Sequence, residues 1–304
     1  MSTMLRETKR LLGLTWRAWN GHNAPQIGAA LAYYTVFSMA PILIIAIAVA
    51  GAVFGAETAR EQVSLELQGL LGVTGAKAIE EMLASTRSLG SGVLATAIGV
   101  ATFFLGATGL FANLQDALNL IWDAPPPTKK PVFTLIRSRF LSFAMVLVIG
   151  FLLLVSLVIS AVLSGLQQSF LGGILATPVI AQTINISISI VVTAVLFALI
   201  YKVLPDVKIA WKDVAVGAGV TAILFALGKL LIGLYIGNSS LSSAYGAAGS
   251  FVVMLVWVYY SAQLILFGAE FTQVYAHRHG SKIGEPLAIE VQAATPGIPA
   301  ARPA

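Results

Sequence analysis

Charged side chains are scarce in this chain, so the few that interrupt apolar stretches are the first candidates for chemistry. Only 10% of its 304 residues are Asp, Glu, Lys or Arg, against about 25% in soluble domains. Lys229 lies well inside a long apolar run, and Glu270 closes another. A lysine deep in a membrane helix costs about 2.5–3.5 kcal/mol on insertion scales. It therefore faces a bundle interior or wet cavity, or snorkels along its stem to the external interface. In the first case Lys229 is suited to meet an anionic group of a substrate; in the second it is only an anchor. Glu270 fits a structural ion pair with a basic residue at its depth, such as Lys202, Arg17 or Arg139. Proton coupling is the rival role for Glu270. Proton-driven transporters place carboxylates in the membrane interior, and no apolar run here holds one away from its end.

Hydroxyl and amide groups add further candidates. Tyr33, Tyr34 and Ser38 stand in the first apolar run with Pro41, whose ring frees a carbonyl that a neighbour or water must satisfy. That combination suits a cavity wall. Asn113, Gln115, Asp116 and Asn119 cluster at the end of the second run, and Tyr245 sits in a serine-rich turn before the last. These residues and Lys229 are the candidate lining of a substrate pathway. Catalysis is poorly supported, since acid–base or metal chemistry wants convergent His, Asp or Glu. His22, His277 and His279 flank the apolar runs, and residues spaced i, i+2 on a helix face different ways. Asp116, Asp123, Asp206 and Asp213 fall in separate segments without ligand-like spacing, and there is no cysteine. No enzyme activity, metal or cofactor is expected.

The elements that must position these side chains follow from hydropathy. Apolar residues make up 58% of the chain and mean hydropathy is +0.88. About 20 apolar residues cross the roughly 30 Å hydrocarbon core as a helix. Six stretches qualify, at about 27–54, 91–113, 140–166, 179–201, 214–236 and 245–269. A transmembrane barrel would show alternating segments of about 10 residues instead, and runs such as Ile42–Ile47 do not alternate. The first stretch starts too late and is too long for a cleaved leader. The expected architecture is all-α: a six-helix membrane domain over 23–275, an interfacial helix over 1–22 and a disordered tail over 276–304. The interfacial helix carries Leu5, Leu12, Trp16 and Trp19 at helical spacing, with Arg6, Lys9, Arg10 and Arg17 toward headgroups. Between the first two spans, residues 56–89 read as an external amphipathic hairpin, either a lid or a packed cap. Pro125–Pro127 and Pro131 make a stiff connector.

Fourteen Lys and Arg fall on one side of this topology and three on the other, with Lys229 completing the eighteen. Basic loops stay cytoplasmic, so both termini are expected inside. The net charge of +5 then needs no nucleic-acid partner, and its scattered pattern contains no aromatic-interleaved basic patch.

Four segments in order resemble the YihY/virulence factor BrkB family of bacterial inner-membrane proteins. They are Ala29–Thr35 with Ser38–Pro41; Ala117–Trp122; Tyr201–Lys208 followed by Trp211–Asp213; and Tyr245–Gly249 with Trp257–Tyr259 and Gly268–Phe271. The likeness covers roughly residues 15–275. It implies a six-helix inner-membrane protein of a family that has carried the label ribonuclease BN and has been linked to serum resistance and export of amphiphilic molecules. The residues do not support the ribonuclease label.

The leading expectation is an exporter or flippase of an amphiphilic or anionic small molecule, with the lipid bilayer as its other partner. A non-transporting envelope-integrity or scaffold protein is the alternative, and a membrane-embedded enzyme the third. No inverted repeat points to a standard transporter fold, and no pattern sets an oligomeric state.

Overall fold

Helices that meet inside a bilayer gain little from hiding apolar surface, because lipid is as apolar as their side chains. They associate through small residues that allow close approach, leaving large ones outside. The computed structural model of the chain follows this layout. It describes residues 2–36, 38, 109–125, 178–238 and 249–284, with a few positions between 51 and 64. Every regular element among them is a helix. They are α1 (Ser2–Gly21), α2 (24–36), α3 (109–121), α4 (Pro178–Val203), α5 (Trp211–Asn238) and α6 (Gly249–Arg278).

Three of these, α4, α5 and α6, are long and apolar enough to cross a membrane. On α5, Ile223, Leu227, Leu230 and Leu234 recur every three or four residues and lie more than half exposed. Its opposite face is small and buried, with Ala218, Thr221, Ala222 and Gly228. That inversion is the packing rule of a membrane helix. Helix α5 packs between α4 and α6, and α1 packs along α6. The shared core draws on Leu31 of α2, Leu118 and Ile121 of α3, Tyr201 of α4, Val214 of α5 and Leu266 of α6.

At one point the approach of α4, α5 and α6 depends on a glycine. The Tyr201 hydroxyl donates to the Ile265 carbonyl at 2.8 Å and lies 3.2 Å from Thr221 Oγ1. A Cβ on Gly268 would come within 2.0 Å of that oxygen, so only glycine fits there.

Helix α3 ends in a Schellman turn. Asp123 takes the left-handed conformation (φ 49°), the Ala124 N–H reaches the Asn119 carbonyl at 2.9 Å and the Asp123 N–H reaches Leu120 at 3.2 Å. Proline 125 then stops the helix from continuing. Asn23 makes the matching corner between α1 and α2 with φ 52°. Its carbonyl accepts from Gln26 and Ile27 at 2.9 and 3.2 Å.

The expected spans 179–201 and 214–236 fall within α4 and α5. Helix α6 runs past the expected end at Ala269 to Arg278, and turns continue to Gly284. It continues because Glu270, Thr272 and Gln273 are covered rather than released to solvent: all three are buried. The expected helix over the first twenty residues is present as α1, with Leu11, Leu14 and Ala18 packed around Val274 of α6. The third span, most of the first two and the external hairpin lie outside the described residues.

Candidate functional site at the junction of the first and last helices

Corners built by Asn23 and Asp123 bring three separate segments to the end of α6. His22, in the α1–α2 corner, reaches Glu270 across 248 residues: Nδ1 lies 2.7 Å from Oε1. The Glu270 side chain is fully buried and that of His22 is 13% exposed. One proton shared between the two keeps the pair neutral overall, as imidazolium with carboxylate or as imidazole with acid. The second carboxyl oxygen, Oε2, has no hydrogen-bond partner among the described residues. A carboxylate oxygen left unpaired in a buried site is costly, so the pair is a candidate for function.

A second layer surrounds it. Asp123 Oδ2 lies 3.5 Å from Gln273 Nε2, one turn along α6 from Glu270, and Lys282 and His277 also act on its charge. His277 Nδ1 turns back to the Gln273 carbonyl at 2.9 Å, while Lys282 Nζ stands 5.8 Å above the Trp122 ring. Burial alone drives the His22 pKa down. The Glu270 hydrogen bond, the Glu270 charge and the Asp123 charge together outweigh it, so the net effect is upward. Asp123 is also raised, chiefly by burial, against the opposing pull of His22, His277 and Lys282.

Two neighbouring clusters brace the junction. Asp213 Oδ2, buried in the first turn of α5, accepts from the Ser281 N–H at 3.0 Å and from the Ser281 hydroxyl at 2.6 Å. This ties the start of α5 to the turn after α6. Asp206 accepts from Gln115 Nε2 at 3.1 Å and Asn119 Nδ2 at 2.9 Å, and its own N–H donates to Asn119 Oδ1 at 2.8 Å. The α4–α5 loop is thereby fastened to α3.

The sequence-derived candidates separate in space. Asn119 and Asp116 lie at the Asp206 cluster, where burial and then the Asp206 charge raise the Asp116 pKa. Asn113 uses its amide on the Gly109 carbonyl at 2.8 Å, and Ser38, fully buried, uses its hydroxyl on the Thr35 carbonyl at 3.0 Å. Tyr33 and Tyr34 meet edge to face, 57% and 38% exposed. Lys229 is half-buried on α5. Its neighbour Gly228 lies against Tyr260 and Leu264, which sets Lys229 roughly two turns of helix from Glu270. Pro41 and Tyr245 lie outside the described residues.

Of the basic partners expected for Glu270, Arg139 lies outside the described residues. Lys202 donates instead to the Ile209 carbonyl and stands over the Trp211 ring, and the described partner of Glu270 is His22. Sequence reasoning therefore missed His22, Asp123 and Gln273 as one cluster. Nothing local marks them, because they come together only through two left-handed corners. Inside α6, the amide of Gln263 lies against Gly28 of α2, and neither its oxygen nor its nitrogen has a partner among the described residues. It is a second polar feature on the helix that carries Glu270.

Residues 15–288 match the family model described as Virulence factor BrkB. A UPF0761 membrane protein of Rhodospirillum centenum is 30% identical over 88% of this chain and 57% of its own length. One from Aggregatibacter aphrophilus is 24% identical over 91% of this chain and 96% of its own. One from Alteromonas mediterranea is 26% identical, over 88% and 87%. The chain thus spans little more than half of the first relative and most of the other two. No solved structure matches it.

Proposed function

The chain belongs to the virulence factor BrkB family of membrane proteins, and from there we propose that it exports or flips an amphiphilic or anionic small molecule across the bacterial inner membrane, without enzymatic chemistry. On this reading both termini are cytoplasmic, which the fourteen-to-three distribution of Lys and Arg supports. The junction of α1, α3 and α6 then lies at the cytoplasmic mouth.

The support for this reading is Glu270, wholly buried, paired on one oxygen and without a partner on the other among the described residues. Buried ionisable groups in membrane proteins are expensive, and by default they point to a substrate or ion route. The Gln263 amide on the same helix, buried and without a partner among the described residues, and half-buried Lys229 on the neighbouring one are the further polar groups that support a substrate route.

The test uses purified protein in liposomes carrying fluorescent phospholipid analogues with anionic or zwitterionic headgroups, with leaflet exposure read by dithionite bleaching. Lipid and metabolite profiles of a deletion strain and its parent complement it. Movement of at least one anionic probe, slowed by Glu270→Gln, is the expected result. No movement of any probe, together with unchanged profiles, ends the reading. The non-transporting scaffold would then stand, favoured by the close fit of Gly268 against Thr221 and Tyr201.

A further inference from the structure

We propose that α1 is a binding surface for anionic phospholipid headgroups, using two faces that its packing on α6 leaves free. Each residue turns a helix by about 100°. Measured from Leu11, residues Leu14, Thr15 and Ala18 fall within about 60° of it, and this is the face covered by α6: Thr15 and Ala18 are buried, with Val274 packed against Ala18. Leu12 and Trp16 fall at about 100° and 140°, and Lys9, Arg6, Arg17 and Arg10 at about 160° to 260°; Trp19, at about 80°, is itself packed against the core.

The free faces are what an interfacial helix beside a bundle needs. Leu12 is 45% exposed and Trp16 is 56% exposed. Trp16 stacks on Trp19 at 4.9 Å, so the ring is already ordered where it would enter the headgroup–acyl boundary. Tryptophan favours that depth because its ring is apolar and its N–H polar. All four basic side chains are exposed on the adjoining face. The single acid of α1, Glu7, lies toward the packed side and is held by His279 Nε2 at 2.7 Å, which keeps its charge off the basic face. Val274 and Glu270, gripping Ala18 and His22, hold the helix at the end of an apolar span, where headgroups lie.

Each Lys or Arg near an anionic surface strengthens binding about fivefold, equivalent to about 1 kcal/mol. A zwitterionic surface offers no such gain, so the inference is specific to lipids of net negative charge.

The chain has no cysteine, so a single Gly13→Cys on the basic face, where no side chain approaches within 4 Å, accepts a fluorophore without other changes. The labelled 304-residue chain goes into nanodiscs containing spin-labelled phosphatidylglycerol or spin-labelled phosphatidylcholine at equal mole fraction. Quenching by phosphatidylglycerol is expected to exceed that by phosphatidylcholine several-fold at low salt. The two converge at high salt, where screening shortens to about 3 Å at 1 M. Replacing Arg6, Lys9, Arg10 and Arg17 by Gln should weaken the apparent phosphatidylglycerol affinity at least about tenfold, while Lys208→Gln with Lys212→Gln leaves it unchanged. Equal quenching by both lipids in the parent protein overturns the proposal, and is the result an acidic protein partner for α1 would give. A preference that survives high salt overturns it as well. Both readings need only the parent protein, so a misfolded quadruple variant does not leave the question open.

Discussion

The two ends of the polar inventory are solved differently. At the junction of α1, α3 and α6, side chains far apart in sequence pair with each other: His22 with Glu270, Asn119 with Asp206, Ser281 with Asp213. Within the spans, hydroxyls turn back on their own helix. Thr221 donates to Gly217 at 2.7 Å and Ser261 to Trp257 at 2.9 Å, and Tyr201 alone of these crosses to another helix, at Ile265. The difference follows from what each region has available. A donor surrounded by apolar helices finds its surest acceptor in the carbonyl one turn back, so helix association there falls to shape and small residues. Where chain corners converge, loops supply charges from several directions, and those charges become the ties.

The comparison breaks most sharply at the ion pair. Removing one partner of a buried pair leaves the other uncompensated, so His22→Ala should destabilise the protein by about 3 kcal/mol, read by thermal unfolding in micelles. A midpoint matching the parent would mean that the junction is no tie at all. The pH response sharpens the same point. Because the His22 pKa is raised in the folded protein, its stabilisation is complete below about pH 6.5, the unfolded value. It is lost as pH rises through the higher folded value. Asp123, also raised, acts with the same sign at lower pH, since the folded state holds its proton longer. The melting temperature should therefore fall above about pH 6.5, and that slope should change in His22→Ala; an identical slope in the variant sinks the assignment.

The interior arm of the comparison rests on shape. Gly268→Ala places a methyl 2.0 Å from Thr221 Oγ1, and such overpacking costs about 1–3 kcal/mol. Insensitivity to this change in the same unfolding assay would show that α4, α5 and α6 fit loosely. The smallest effect belongs to Asn119→Ala. Its bonds to Asp206 are exposed, and water replaces them at a cost of about 1 kcal/mol or less. A larger loss would show that Asn119 contributes more to holding the α4–α5 loop than an exposed hydrogen bond does.

Several motifs legible in the sequence find their reason in these contacts. The run Tyr201–Asp206 holds the hydroxyl that bonds Ile265 and the carboxylate that bonds Asn119, and Gly268–Glu270 joins the tight approach to the buried acid. Helices α4 and α5 were readable within a few residues because length and hydropathy alone define a span. The end of α6 was not. Glu270, Thr272 and Gln273 look like the start of a solvent-exposed segment until α1 and the end of α3 are placed over them.

What the sequence determined by itself is the medium: 10% charge and apolar runs of span length commit the chain to helices in a bilayer, since only helices and closed barrels satisfy the backbone there and these runs do not alternate as barrel strands do. Which polar groups meet was decided only by tertiary structure. His22 and Glu270 are 248 residues apart, and no periodicity in either segment records the other. Their pairing depends on the α1–α2 corner at Asn23 and on the packing of α1 along α6, and it is that fold, rather than any motif, that turns a lone glutamate into a buried titratable pair.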